Sequence, residues 1–429
     1  MKKIKENFGD FAEIFTGEKK FSGTLIPSAN KNIFVLKLES GYNIGIKKNK
    51  IKKINIVKKY SEKKDESKEI VHKKNLPTIS ILHTGGTIVS KVDYKTGAVV
   101  SAFTPEELLS MFPELKNIAN FKSRLIRKMW SDDLRFKHFG ILAKEIEKEI
   151  KEGAKGIIIG MGTDNLAVAA SALSFVLESC PIPVVFVGSQ RSSDRGSSDA
   201  NMNLLCASNF IAKTDFSGVV ICMHENIDDK NCVILPGCKT RKLHTSRRDA
   251  FKTVNDVPIA KVDYKTKEIQ FLKNDYLKNN NKLIIKDKFE EKVGLIKITI
   301  NMTANQFLAY KNYKGLIIEG TGMGHTPLDV IDNETKEHAK IKKVLQTLSK
   351  KTILVMTSQC LFGRINMNIY SKGRDLQDIG IISWEDMLPE TAFVKLAWLL
   401  GNYPKNTKEL ITKNLRGEIN TNLGKEFLE

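Results

Sequence analysis

From Thr78 onward, short and almost wholly apolar runs (TISILH, AKGIIIG, IPVVFVGS and SGVVICMH) are separated by amphipathic stretches long enough to form helices. Runs of this kind read as strands buried on both faces, and their alternation with helices predicts a mostly parallel sheet covered on both sides. The helices are expected to begin near Ser131, Asp164 and Ser198, whose side chains can accept hydrogen bonds from exposed first-turn amides. A second αβ block starts near Lys292. Its strands lie in VGLIKITI, KGLIIEG and KTILVMTSQ, its helices start near Thr303, Asn333 and Pro389, and a last helix falls in NTKELITKNLRG.

The beginning of the chain has another rhythm. FSGTLIP, NIFVLKLES and YNIGIKK read as short alternating strands divided by turn residues, which predicts a small β barrel. KKYSEKKDESKEIVHKKN carries charge without hydrophobic period and reads as a linker. The expected fold class is therefore α/β: a small N-terminal β-barrel domain over 1–60, a charged linker over 61–75, and two further domains over 76–285 and 290–429 with mostly parallel sheets.

Composition adds three points. At 429 residues the chain can bury sizeable cores without covalent staples, and its six cysteines include no CxxC pair, so reduced thiols are expected. No stretch reaches the ~20 apolar residues that a membrane span needs, and the reading is a cytoplasmic protein. The net charge of +20 suits an acidic partner, but lysine is interleaved with glutamate, as in KEIEKEIKEGAK, so a lysine-heavy composition accounts for it equally well.

In open parallel sheets, ligands bind beyond the carboxyl ends of the strands. Four such exits are polar and glycine-rich: HTGGTIVSKVDY, GMGTDNLAV, GSQRSSDRGSSD and GTGMGHTP. Glycine beside hydroxyl residues lets main-chain amides approach a ligand and face developing negative charge. Neither Gly85-Gly86-Thr87 nor Gly320-Thr321-Gly322-Met323-Gly324 is a nucleotide loop, because the first lacks the P-loop lysine and the second lacks GxGxxG spacing. Cys222, His224, Cys232, Cys238 and His244 crowd one region without a zinc-type spacing, and no metal is expected.

His83-Thr84-Gly85-Gly86-Thr87-Ile88 and Gly162-Thr163-Asp164, each after an apolar strand, resemble the two signature segments of the bacterial-type L-asparaginase family. VGSQRSSDRGSSDANMNL, RKLHTSRRDAFKTVND, LIIEGTGMGH and EDMLPETAFVKLAWLLG are similar to one branch of it, the D subunits of archaeal glutamyl-tRNA(Gln) amidotransferases, in which a small β domain precedes the amidase core. The resemblance spans essentially the whole chain and implies a two-domain asparaginase-like core. It implies that Thr87 attacks the amide, that Thr163, Asp164 and Lys242 complete the catalytic set, that Tyr94 lies in a flap, and that Ser131 and Asp132 bind the substrate's α-carboxylate and α-amino groups.

This set is chemically coherent, since a threonine hydroxyl is a poor nucleophile until a base takes its proton, and Lys242 can be that base only when neutral. Asp164 either orients the lysine or holds the substrate's ammonium, and either Thr87 or Thr163 can form the ester. The same residues have plainer readings: turn or cap positions for Thr87, Thr163, Asp164, Ser131 and Asp132, and packing for Tyr94. Lys-Thr-Arg-Lys offers two registers, of which Lys242 is taken as catalytic and Lys239 as dispensable. Where the family has His-Gly-Thr-Asp-Thr, this chain has Met161-Gly162-Thr163-Asp164-Asn165.

The implied function is release of ammonia from glutamine or asparagine for a partner subunit, of the E type, that converts Glu-tRNA(Gln) to Gln-tRNA(Gln). ATP and Mg²⁺ are expected on that partner and no cofactor in this chain. A homodimer of amidase cores within a heterotetramer is the implied assembly. The alternatives are a free-standing cytosolic L-asparaginase and a catalytically decayed tRNA-binding scaffold.

Overall fold

The structure, a computed structural model, describes residues 8–17, 19–28, 30–39, 42–60, 73–86, 88, 90–92, 99–101, 105–193, 196–278 and 282–422. Its N-terminal unit is a five-stranded antiparallel sheet in the order Asn43–Lys47, Ile33–Lys37, Lys19–Ile26, Phe11–Thr16, Lys53–Lys58. Ala12, Ile14, Leu25, Leu36, Ile46 and Ile51 form a small core of its own. The edge strands Asn43–Lys47 and Lys53–Lys58 are joined through the single 3-10 turn Lys48–Lys50 and two more residues. That connection spans at most about 16 Å, less than the roughly 19 Å across a flat sheet of this order, so the sheet has to curl.

Residues 61–72 of the expected linker lie outside the described residues. Its end is docked: the Asn120 side chain accepts from the Lys73 amide (3.0 Å) and donates to the carbonyls of Lys73 (2.9 Å) and Leu76 (3.1 Å).

The larger lobe is built on an eight-stranded sheet in the order Ile269–Phe271, Ala260–Asp263, Asn231–Pro236, Gly218–His224, Pro183–Val187, Gly156–Gly160, Thr78–His83, Asn120–Leu125. The last five run parallel, and the first three pair antiparallel. Helices Phe136–Lys151, Leu166–Val176 and Ala200–Lys213 cover it. Ser131 does not open a helix: Ser131–Asp133 is a separate 3-10 turn, and the helix waits until Phe136.

The second lobe has four parallel strands, Val293–Lys297, Gly315–Gly320, Ile353–Ser358 and Ile382–Ser383. Ala304–Leu308 starts at a Thr303/Gln306 capping box, while the helix expected near Asn333 begins at Glu337 because Asp332 and Thr335 first close a turn. Leu166–Val176 is buried around its whole circumference and packs on Pro389–Asn402 of the second lobe, so both lobes contribute to one hydrophobic core. Among the described residues, no helix is long and apolar enough to cross a membrane.

Candidate active site

Three parallel strands, ending at His83, Gly160 and Val187, deliver their following loops to one place. The loops are locked by main-chain bonds: the Thr84 amide donates to Gly160 O (3.0 Å), and the Met161 amide to Val187 O (3.3 Å). Glycine is required where they touch. At Gly86 (φ +86°) a Cβ would stand 2.4 Å from the Gly162 nitrogen, and at Gly188 it would stand 2.7 Å from the Thr163 methyl.

Lys242 reaches this junction from a two-stranded hairpin, Thr240–Lys242 against Phe251–Thr253, in which it pairs with Phe251. Its Nζ lies 2.9 Å from Thr163 Oγ1 and 2.9 Å from Asp164 Oδ1. The lysine is largely buried and the aspartate exposed. The hairpin tip is held by an Arg247 fork onto both oxygens of Asp249 (2.8 Å each), which keeps the Asp249 carboxyl below its usual range.

Ser131 is buried against Gly162. Its hydroxyl accepts from the Asn165 amide (3.3 Å) and its carbonyl from Asn165 Nδ2 (3.1 Å), so Asn165 ties the Ser131–Asp133 turn to the Thr163–Asp164 loop. Asp132 is exposed on that turn. Thr87 and Tyr94 lie outside the described residues. The structure thus brings Thr163, Asp164, Lys242 and Ser131 into one neighbourhood, with Asp132 on its rim.

Lys239 lies in the interior rather than at the site. Its ammonium is fully buried and donates to Asp386 Oδ2 (2.5 Å) and the Asp386 carbonyl (3.2 Å), linking the hairpin to the second lobe. Burial pushes its pKa down, and Asp386 pulls it back up. Arg241 adds a second link, to Glu390 at 3.3 Å, where burial raises the carboxyl's pKa. Asp386 and Glu390 belong to EDMLPETAF, whose similarity to the family is visible in the sequence without revealing that they anchor the lysine hairpin.

Cys222, His224, Cys232 and Cys238 of the cysteine and histidine group are buried packing, while His244 is exposed and its Nδ1 accepts from the Ser246 and Arg247 amides (3.1 Å each). His224 Nδ1 meets Asn203 Oδ1 at 2.7 Å, Cys232 donates to the same oxygen, and Cys222 donates to the Asn203 carbonyl. Burial pushes the Cys238 thiol up to about 12. Among the described residues, no group of three or more His, Cys, Asp or Glu side chains is placed to hold a metal.

Comparison with known proteins covers most of the chain. Residues 78–276 match the family described as asparaginase, N-terminal, residues 292–412 the glutaminase/asparaginase C-terminal domain, and residues 7–57 the GatD N-terminal domain. The glutamyl-tRNA(Gln) amidotransferase D subunit of Pyrococcus furiosus is 44% identical over 96% of this chain and 94% of its own length. Its counterpart in Methanococcus maripaludis (strain C7) is 45% identical over 98% of this chain and 100% of its own. Among solved structures, the thermostable L-asparaginase from Thermococcus kodakarensis superposes with a TM-score of 0.71 at 26% identity, covering 80% of this chain and all of its own. L-asparaginase I from Vibrio cholerae gives 0.67 at 25% identity, over 80% of this chain and 99% of its own.

Proposed function

Because the chain belongs to the family of glutamyl-tRNA(Gln) amidotransferase D subunits, we infer that it is the glutaminase/asparaginase-type subunit of a tRNA-dependent amidotransferase. It releases ammonia from glutamine or asparagine, and a partner subunit of the E type uses that ammonia to convert Glu-tRNA(Gln) to Gln-tRNA(Gln). ATP and Mg²⁺ belong to the partner's half of the reaction. The assembly is a heterotetramer around a homodimer of this chain, and it works in the cytoplasm, as a structural neighbour described as a probable cytoplasmic L-asparaginase from Campylobacter jejuni also suggests.

The observation that carries the catalytic reading is Lys242 Nζ at 2.9 Å from both Thr163 Oγ1 and Asp164 Oδ1. Lys242 is the group placed to take the Thr163 proton, with Asp164 holding its Nζ in position. The activated hydroxyl system, with Thr87 as its second member, attacks the amide carbon. The proton taken up by Lys242 passes to the amide nitrogen, which leaves as ammonia, and water then hydrolyses the threonyl ester to the acid and restores the threonine hydroxyl. Main-chain amides of the glycine-bearing loops supply donors for the oxyanion. Ser131 and Asp132 hold the α-carboxylate and α-ammonium, and Tyr94 closes over the substrate.

Thr163→Val and Thr87→Val are each expected to lower ammonia release from glutamine by about a thousandfold, with unfolding temperature preserved. Wild-type turnover in Thr163→Val would remove this mechanism. The rival reading, a free-standing L-asparaginase, draws on the superposition with L-asparaginases over their full length. Transfer of the amide nitrogen to Glu-tRNA(Gln) by this chain with its partner and ATP separates the two, since a free-standing asparaginase supports none.

A further inference from the structure

Threonine carries a hydroxyl and a methyl on the same carbon, so a single staggered rotamer of Thr163 puts its hydroxyl beside Lys242. In that rotamer Oγ1 lies 2.9 Å from Lys242 Nζ, and the methyl rests against Gly188. A Cβ at position 188 would stand 2.7 Å from the methyl and 2.9 Å from Leu166 Cδ1. Gly188 does not have a positive φ, so what excludes a side chain there is the space taken by its neighbours. A methyl pushed off Gly188 turns about the Cα–Cβ bond and carries Oγ1 away from Nζ.

Gly188 is itself held from behind. Asn203 Nδ2 donates to Gly188 O (3.1 Å) and to Asp199 Oδ2 (3.2 Å). Asp199 accepts the amides of Gln190 (3.0 Å) and Arg191 (3.0 Å), with Ser189 Oγ 3.3 Å from Oδ1. Both clamp side chains are fully buried. Two acceptors, the Gly188 carbonyl and the Asp199 carboxylate, face the same end of the Asn203 amide, and that end has to be the nitrogen. Its oxygen is taken by His224 Nδ1 (2.7 Å) and Cys232 Sγ (3.4 Å), so the buried histidine and cysteine brace the amide that grips Gly188. A buried carboxylate served by main-chain and side-chain amides is costly to place, and what it secures here is the backbone at Gln190 and Arg191, directly after the wall behind Thr163.

We propose that Asp199 and Asn203 are positioning residues for the amidase reaction: they hold Gly188 as a wall against the Thr163 methyl, and the wall keeps Thr163 Oγ1 aimed at Lys242. This rests on the catalytic reading above. The clamp is buried within one chain, so it is independent of which other chain covers the site. It also gives the threonine methyl a task, since a serine at 163 would keep the hydroxyl and lose the group that the wall acts on.

The test is a pair of double-mutant cycles on the full-length chain with its partner subunit and Glu-tRNA(Gln), read as steady-state ammonia release from glutamine. Gly188→Ala is expected to lower kcat about a hundredfold with KM within about threefold. Thr163→Ser is expected to cost about tenfold or less, and Gly188→Ala added to it less than about threefold more, because no methyl is left to be pushed. The Leu166 contact is common to both backgrounds and cancels. Asp199→Asn turns one acceptor into a donor facing a main-chain amide; it is expected to lower kcat about tenfold alone and less than about twofold in Thr163→Ser. With carbon-13 in the threonine methyls, three-bond couplings of the Thr163 methyl are expected to report one rotamer in the wild type and an average over several in Asp199→Asn. A kcat loss equal in both backgrounds, or a Thr163 methyl still in its single rotamer in Asp199→Asn, overturns the proposal and leaves the catalytic reading standing, the clamp then serving the fold alone. If Gly188→Ala does not fold, the Asp199→Asn cycle and the couplings decide. A wild-type complex that releases no ammonia from glutamine or asparagine sinks the catalytic reading, and the proposal with it.

Discussion

Lys239 and Lys242 stand three positions apart, and replacing each by methionine is expected to break different things. The Lys239 ammonium and the Asp386 carboxylate are both fully buried, so Lys239→Met leaves a buried carboxylate with only the Asn420 amide (3.1 Å) among its described partners. Breaking a buried pair costs about 3–5 kcal/mol, and the surviving amide bond places this case near the lower end. For a unit this large, that lowers the unfolding temperature by roughly 5 °C. Lys242 pairs with a carboxylate that is 74% exposed, a contact contributing about 0–1 kcal/mol. Lys242→Met is therefore expected to unfold within about 2 °C of wild type while ammonia release falls roughly a thousandfold. Calorimetric melting and a coupled ammonia assay on both variants decide it. The double change Lys239→Met with Asp386→Leu should recover most of the lost stability, because it removes both buried charges. A wild-type melting temperature in Lys239→Met, or an unfolded Lys242→Met, would refute the assignment of structure to one lysine and chemistry to the other.

Gly86→Ala places a Cβ 2.4 Å from the Gly162 nitrogen at a φ of +86°, so about 2–4 kcal/mol of stability and at least about a hundredfold of turnover should be lost, measured by urea unfolding and ammonia release. His83 is buried and its pKa is depressed from 6.5 to about 4. As pH falls from 6.5 to about 4 the unfolded chain takes up a proton here that the folded chain refuses; stability drops by roughly 3 kcal/mol through that window and levels off below it. His83→Leu should flatten that part of the pH–stability curve, and an unchanged slope would contradict the burial argument. Asn165→Ala removes the 3.1 Å bond to the Ser131 carbonyl, so KM for glutamine should rise about tenfold with kcat changed less than about threefold, a split that steady-state kinetics reads directly.

The parallel strands are legible in the sequence because burial on both faces leaves runs such as GIIIG and PVVFV with almost no polar interruption. Strands with an open side are not. Phe11–Thr16 and Lys53–Lys58 are hidden among charged neighbours, the second because it is an edge strand exposing Ile56 and Val57, and Asn120–Leu125, at the other sheet's edge, buries Phe121 alone and carries Lys122, Ser123 and Arg124 in a row. The site's chemistry lies in short motifs at strand ends, so Thr163 and Asp164 can be named from their neighbours. Lys242 can be named as well, yet the role of Lys239 depends on Asp386, 147 positions away, and no local pattern carries that information. Asn165, which stands where the resemblance leads one to expect threonine, clamps Ser131 through its side-chain amide.

The single hydrophobic interior shared by the two lobes limits how this enzyme can move. A hinge would have to pull Leu166–Val176 off Pro389–Asn402 and expose Trp398, Phe175 and Val394 to water, so the lobes melt together as one cooperative block, and any opening for substrate is left to loops. The N-terminal sheet, with its separate small interior, is under no such constraint. It is a module that can loosen on its own during hydrogen exchange, and one that can be grafted onto another amidase without rebuilding the block beneath it.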